Sequence, residues 1–184
     1  MKKEELKKYF EELNYNEELQ EEMLAYVDSE KDIESLYEKI KYLNKLGIPQ
    51  DGISMIISEN PLFLTTTSET VKNSVNFLKN INIENIARTL EINPELLSTS
   101  NKTMSENYKL LKILMSEKDL INMLKIDCEI LTFNTDYFEK RLEFLIKNEL
   151  KDYVKDIILN HIEVFEDEED EIDIEELKSY YSKK

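Results

Sequence analysis

Glycine and proline are scarce, with two and three residues in a chain of 184. Tight-turned sheets consume both, so this scarcity argues against an all-β fold. A single cysteine, Cys128, excludes an intramolecular disulfide. It stands on an apolar edge, in a slot that proline fills elsewhere, and reads as a small core residue of a protein in a reducing compartment. A single histidine, His161, leaves too few imidazoles for a His-based metal site, and a Ser-His-Asp triad would have to use His161, whose slot in a repeat turn gives no support for that geometry. There is no glycine-rich phosphate loop, no Gly-x-Ser-x-Gly and no His-Glu-x-x-His. The sequence therefore predicts no enzyme, no catalytic residue, no metal and no cofactor. No apolar run approaches the ~20 residues that span a bilayer. Met1-Lys2-Lys3-Glu4-Glu5 lacks an apolar signal core. No membrane partner is expected, and the expected location is the cytoplasm. Arginine occurs only at Arg88 and Arg141, against abundant lysine, asparagine and isoleucine. That bias matches an AT-rich bacterial or phage genome.

What is abundant is acid. The formal net charge is −16, unevenly spread. Residues 1–30 hold ten acids and four lysines, and residues 163–184 hold ten acids and three lysines. Residues 31–162, with twenty acids and seventeen bases, are nearly balanced. Binding to a phosphate backbone draws on Lys and Arg, so the acidic ends oppose nucleic acid while the middle does not.

A phrase recurs along that middle. It reads Asn60-Pro61-Leu62-Phe63-Leu64, Asn93-Pro94-Glu95-Leu96-Leu97, Asp127-Cys128-Glu129-Ile130-Leu131 and, more weakly, Asn160-His161-Ile162-Glu163-Val164, with starts 33, 34 and 33 residues apart. A second pattern precedes it at Leu43-x-x-Leu46-Gly47-Ile48, Leu78-x-x-Ile81-Asn82-Ile83 and Leu111-x-x-Leu114-Met115-Ser116, with looser copies at Phe10 and Leu145. A fixed period of this size marks a helical repeat array. Each unit reads as helix, loop, helix and apolar phrase. First helices are expected near 31–45, 68–80, 103–114 and 135–148. Second helices are expected near 17–28, 50–58, 84–91, 117–125 and 151–159. Capping boxes are expected at Thr66 with Glu69 and Thr103 with Glu106, with a related start at Ser116 with Asp119. Gly47 suits a helix end and Pro49 a first helical turn. Proline ends the second helix at Asn60 and Asn93, and the apolar pair beyond it is expected to form a short 3-10 turn that plugs the gap between repeats.

The fold class is thus all-α, a right- or left-handed α-solenoid of about five repeats of roughly 33 residues. The expected division is a truncated capping repeat at 1–30, four repeats at 31–165, and an acidic tail at 166–184 that ends in a short helix from Ile172 to Tyr181.

These motifs resemble the mitochondrial transcription termination factor (mTERF) family. The resemblance rests on Leu46-Gly47-Ile48 with Asn60-Pro61-Leu62-Phe63-Leu64, and on Ile81-Asn82-Ile83 with Asn93-Pro94-Glu95-Leu96-Leu97. It covers roughly residues 33–165. It implies a curved array of helical triplets. Family members hold DNA or RNA in a basic groove rich in arginine, which this chain has little of.

Two functions follow. Repeat arrays build binding surfaces, and the polarised acidity favours a protein partner with a basic surface. In its sharpest form the chain is an acidic nucleic-acid mimic that inhibits an enzyme, as phage-borne inhibitors do. The candidate contacts are Glu17, Glu18, Glu21, Glu22, Glu166, Asp167, Glu168, Glu169, Asp170 and Glu171. The alternative is an RNA- or DNA-binding regulator that uses Lys72, Lys79, Lys109, Lys112 and Lys147 on one concave face.

Overall fold

The computed structural model describes residues 3–13, 15–27, 29–165 and 174–181. Those residues form eleven α-helices and five 3-10 helices, with no strand among the described residues. The fold is the all-α repeat fold that the sequence predicts. Two compact units divide it, residues 1–101 and 102–184.

The first unit holds α1 (Lys3–Glu12), α2 (Glu17–Ala25), α3 (Glu30–Lys45), α4 (Gln50–Glu59), α5 (Ser68–Asn80) and α6 (Ile86–Ile92). The 3-10 turns Pro61–Leu64 and Pro94–Leu97 close its last two repeats. First helices pack on first helices, α1 on α3 and α3 on α5, while α4 packs on α6. Two layers result, joined through Leu36, Leu43, Ile53, Ile57, Val75 and Leu78, each fully buried. Burial of each such side chain stabilises the fold by roughly 1.5–3 kcal/mol.

The second unit holds α7 (Asn101–Leu114), α8 (Glu117–Leu124), α9 (Thr135–Lys147), α10 (Val154–Asn160) and α11 (Ile174–Tyr181). Its 3-10 turns are Glu129–Leu131, Lys151–Tyr153 and Ile162–Phe165. α8 packs on α10, and the last turn packs on α9, where Phe138 and Phe165 meet edge to face at 5.4 Å. α11 buries Leu177 and Tyr181. Tyr181 lies against Tyr153 and His161, with ring centroids at 4.9 and 6.1 Å. The first part of the acidic tail, residues 166–173, lies outside the described residues.

The recurring phrase does what its chemistry requires. Asn60 and Asn93 share one non-helical geometry, φ −129° and ψ 76° against φ −127° and ψ 71°, because the following proline disfavours helix. Each proline then opens a 3-10 turn. Phe63 and Leu64, like Leu96 and Leu97, are buried beneath it. The Asn60 amide donates to Pro94 O at 2.8 Å and Ser98 Oγ at 2.9 Å, tying one repeat's turn to the next. Cys128 is buried, with its thiol 2.9 Å from Leu124 O. Burial pushes that thiol up to about 12, so it is inert core, as its slot in the repeat suggests.

A third register was not apparent in the sequence. Four residues before Leu43, Leu78 and Leu111 stand Lys39, Ser74 and Asn107, all buried and polar. Each turns toward the carbonyls at the exit of its own repeat's 3-10 turn. Lys39 Nζ donates to Phe63 O, Leu64 O and Thr66 O at 2.5, 3.0 and 2.6 Å. Asn107 Nδ2 faces Ile130 O, Leu131 O and Phe133 O at 3.3, 3.3 and 2.9 Å. The Ser74 hydroxyl donates to Thr70 O of its own helix at 3.0 Å and lies 3.4 Å from Thr99 O, so it fills the register only at its limit. Helix-end carbonyls have no intrahelical donor, and here the neighbouring first helix supplies one.

Two capping expectations shift. The cap of α5 is Thr67, whose side chain accepts from Thr70 N at 3.1 Å. Thr66 Oγ1 instead donates to Leu62 O at 2.8 Å, because the preceding turn runs on through Thr66 and delays the helix by one residue. α7 starts at Asn101, so Thr103 lies within its first turn and does not cap it. Pro49 occupies the N-cap of α4, one place before the first turn. The start at Ser116 holds, with Asp119 N donating to Ser116 Oγ at 3.2 Å. The Ser116 hydroxyl and Lys155 keep the Asp119 carboxyl below its usual range. Ser29 and Asp32 form a full capping box at α3. Gly47 ends α3 at φ +92°. Asn82 and Glu149 take φ 62° and 66° at the matching places after α5 and α9.

Candidate nucleic-acid interface

Leu43, Leu78, Leu111 and Leu145 are buried anchors of the four full first helices, and they put those helices on one scale. Residues one place after the anchor are Asn44, Lys79, Lys112 and Ile146. Residues two places before are Lys41, Asn76, Lys109 and Glu143. At 100° per residue these positions fall on the side turned away from the core, and all eight are exposed.

The grooves between neighbouring first helices confirm how the helices are turned. Tyr9 of α1 faces Tyr37, Ile40, Lys41 and Asn44 of α3 across a hollow of about 220 Å³. In the second unit Leu110, Ile113 and Leu114 of α7 face Leu142, Glu143 and Ile146 of α9. The same helical flank meets the preceding helix both times. By that register Lys72, Asn76 and Lys79 of α5 point toward α3, where Lys41 and Lys45 stand exposed. No carboxylate lies within ion-pair distance of these four lysines among the described residues.

The predicted lysines thus differ in state. Lys72 and Lys79, seven residues apart, share one face of α5 and have no ion pair among the described residues. Lys109 and Lys112 share one face of α7. Lys112 pairs with Glu117 at 3.7 Å and lies over the Tyr108 ring, 5.7 Å from its centroid. Lys147 pairs with Glu143 at 3.6 Å. Sequence reading missed Lys41 and Lys45. Alignment on the buried leucines is the signal that finds them.

The acidic candidates divide as well. Glu17, Glu18, Glu21 and Glu22 are all exposed on α2. Glu166, Asp167, Glu168, Glu169, Asp170 and Glu171 lie outside the described residues. His161 stands 3.2 Å from Glu163 and edge-on to Tyr180 at 5.2 Å, a packing role at the end of α10. Among the described residues no group of three or more His, Cys, Asp or Glu is arranged to hold a metal. No helix among them is long and apolar enough to cross a membrane.

Lys39 is the exception among the lysines, since it is buried and unavailable to a ligand. Burial lowers its amine to about 8, against a weaker raising effect from Asp32.

No curated protein matches the chain. The family model described as mTERF matches residues 4–161, which takes in the repeats from α1 to the end of α10. The chain belongs to the mTERF family.

Proposed function

We propose that the chain is a non-enzymatic nucleic-acid-binding repeat protein, and that within its first unit the contact surface is the row of lysines on α3 and α5. The observation that carries this reading is the set Lys41, Lys45, Lys72 and Lys79, exposed on two packed first helices without carboxylate partners among the described residues. Family membership favours it, since the resemblance implies a groove that holds DNA or RNA. Lysine takes the place of the family's arginine, so the contacts are single point charges without bidentate geometry.

The acidic ends oppose association at long range, so binding is weak and strongly salt-dependent. Of the acidic-mimic candidates, the four glutamates of α2 are exposed on a helix, where glutamate is ordinary solvated surface; the tail carboxylates lie outside the described residues.

The test is fluorescence anisotropy with labelled RNA and DNA, single-stranded and duplex, over a salt series. Four phosphate contacts give a slope of log K against log salt of about −3 to −4. Charge reversal by Lys72→Glu with Lys79→Glu reduces both affinity and slope. Absence of binding by every oligonucleotide at low salt overturns the reading.

A further inference from the structure

The hollow between α1 and α3 in the first unit differs in chemistry from its repeat equivalent. Between α7 and α9 the corresponding positions are apolar or acidic, with Ile113, Leu142, Glu143 and Ile146 on its walls. Between α1 and α3 they are aromatic, cationic and amide. Tyr37 is 51% exposed, and its counterparts in the other repeats are Lys72, Ser105 and Glu139. Core packing therefore does not require an aromatic ring there. Lys41 and Asn44 follow Tyr37 at four and seven residues, which sets all three in one row along α3. Among the described residues none of the three side chains makes a hydrogen bond or ion pair. Tyr9 closes the opposite wall, and burial, with a smaller push from the Glu12 carboxylate, raises its phenol to about 12, so the ring itself stays neutral. Lys41 belongs to this row and also adjoins Lys45, one turn further along α3.

The geometry points to a nucleobase subsite: one unpaired base of a single-stranded polynucleotide stacks on Tyr37 in the α1–α3 hollow, its edge meets the Asn44 amide, and its phosphates run over Lys41 toward Lys45. This rests on the nucleic-acid-binding function proposed above and adds strandedness to it. A base held within a duplex reaches a lateral hollow only by extrusion, which costs the energy of unpairing and unstacking. An unstacked base reaches it without that cost, and every base offers a π-face to an aromatic side chain. Asn supplies both a donor and an acceptor to a base edge. The hollow, at about 220 Å³, is small and one-sided, which suits a single planar ring system and not a folded peptide.

The experiment compares wild type with Tyr37→Ala and Tyr37→Phe on labelled single strands of about 12 nucleotides and on duplexes of the same length, each in RNA and DNA form. Tyr37 is exposed, so both variants fold, and their circular dichroism matches wild type. Tyr37→Ala weakens single-strand affinity about ten-fold, Tyr37→Phe keeps it, and duplex affinity is unchanged by either. The RNA and DNA arms report whether the 2′-hydroxyl contributes. If Tyr37→Ala binds single strands as wild type does while the Lys72→Glu, Lys79→Glu variant does not, the subsite is wrong and the lysine surface stands. If Tyr37→Ala weakens duplex and single strand equally, the assignment to an unpaired base of a single strand is wrong. If wild type binds none of the probes at low salt, the nucleic-acid-binding function falls and the subsite with it.

Discussion

Replacement of Lys39 by Met tests the buried carbonyl register. The side chain is 1% exposed, and methionine nearly conserves its length while removing the amine. Three carbonyls, Phe63 O, Leu64 O and Thr66 O, lose their donor together. A buried acceptor left unpaired costs roughly 1–3 kcal/mol. Relief from burying a cation offsets part of that sum. A net loss of about 3 kcal/mol at neutral pH is expected, which lowers Tm by about 6–12 °C for a chain of this length. Urea denaturation followed by circular dichroism measures it. The pH dependence carries a separate signature. The folded amine releases its proton near 8, against 10.5 for the ordinary group. Between those values the unfolded chain binds more protons than the folded one, so wild-type stability rises with pH across the window. The gain, measured relative to Lys39→Met so that other groups cancel, is at most about 3 kcal/mol. A Lys39→Met protein as stable as wild type at neutral pH refutes the coordination. A wild-type-to-variant difference that stays flat from pH 8 to 10.5 refutes the depressed amine.

Two further predictions concern the backbone and the core. Glu149 holds φ 66°, a left-handed conformation that costs a residue with a Cβ about 1–2 kcal/mol. Glu149→Gly therefore stabilises the protein by about 0.5–1 kcal/mol in the same denaturation assay once glycine's unfolded-state entropy is counted, and a loss of stability contradicts this. Cys128, buried and with its thiol pushed up to about 12, resists alkylation at neutral pH in the native protein and reacts fully in denaturant. Rapid native labelling, read by intact mass, contradicts its place in the core.

Much of the fold was legible because its signals are local. Proline at 61 and 94 stops a helix wherever it occurs in a chain, so the 3-10 turns were visible before any packing was known. Leucine at helical spacing marks the buried face for the same reason. The capping at Thr66 was misplaced by one residue, because Thr65 and Thr66 hydrogen-bond back to Leu62, a competition between two adjacent elements that propensity does not rank. The Lys39 and Asn107 register was hidden because two unlike side chains share one task, and only the position of the carbonyls makes them equivalent; Ser74, at the same place in α5, donates mainly to Thr70 O of its own helix.

The sequence by itself determined the helical class, the period near 33 residues, the 3-10 turns and the concentration of acid at the two ends, since each follows from the residue types and their spacing along the chain. Tertiary structure alone decided which charges are free. Among the described residues Lys112 and Lys147 meet carboxylates while Lys41, Lys45, Lys72 and Lys79 do not, and Lys39 is spent on carbonyls inside the core. The physical reason is that a charge's availability depends on what lies within a few ångströms of it, and for a side chain on a packed helix that neighbourhood is set by the adjoining helix and the turn folded against it.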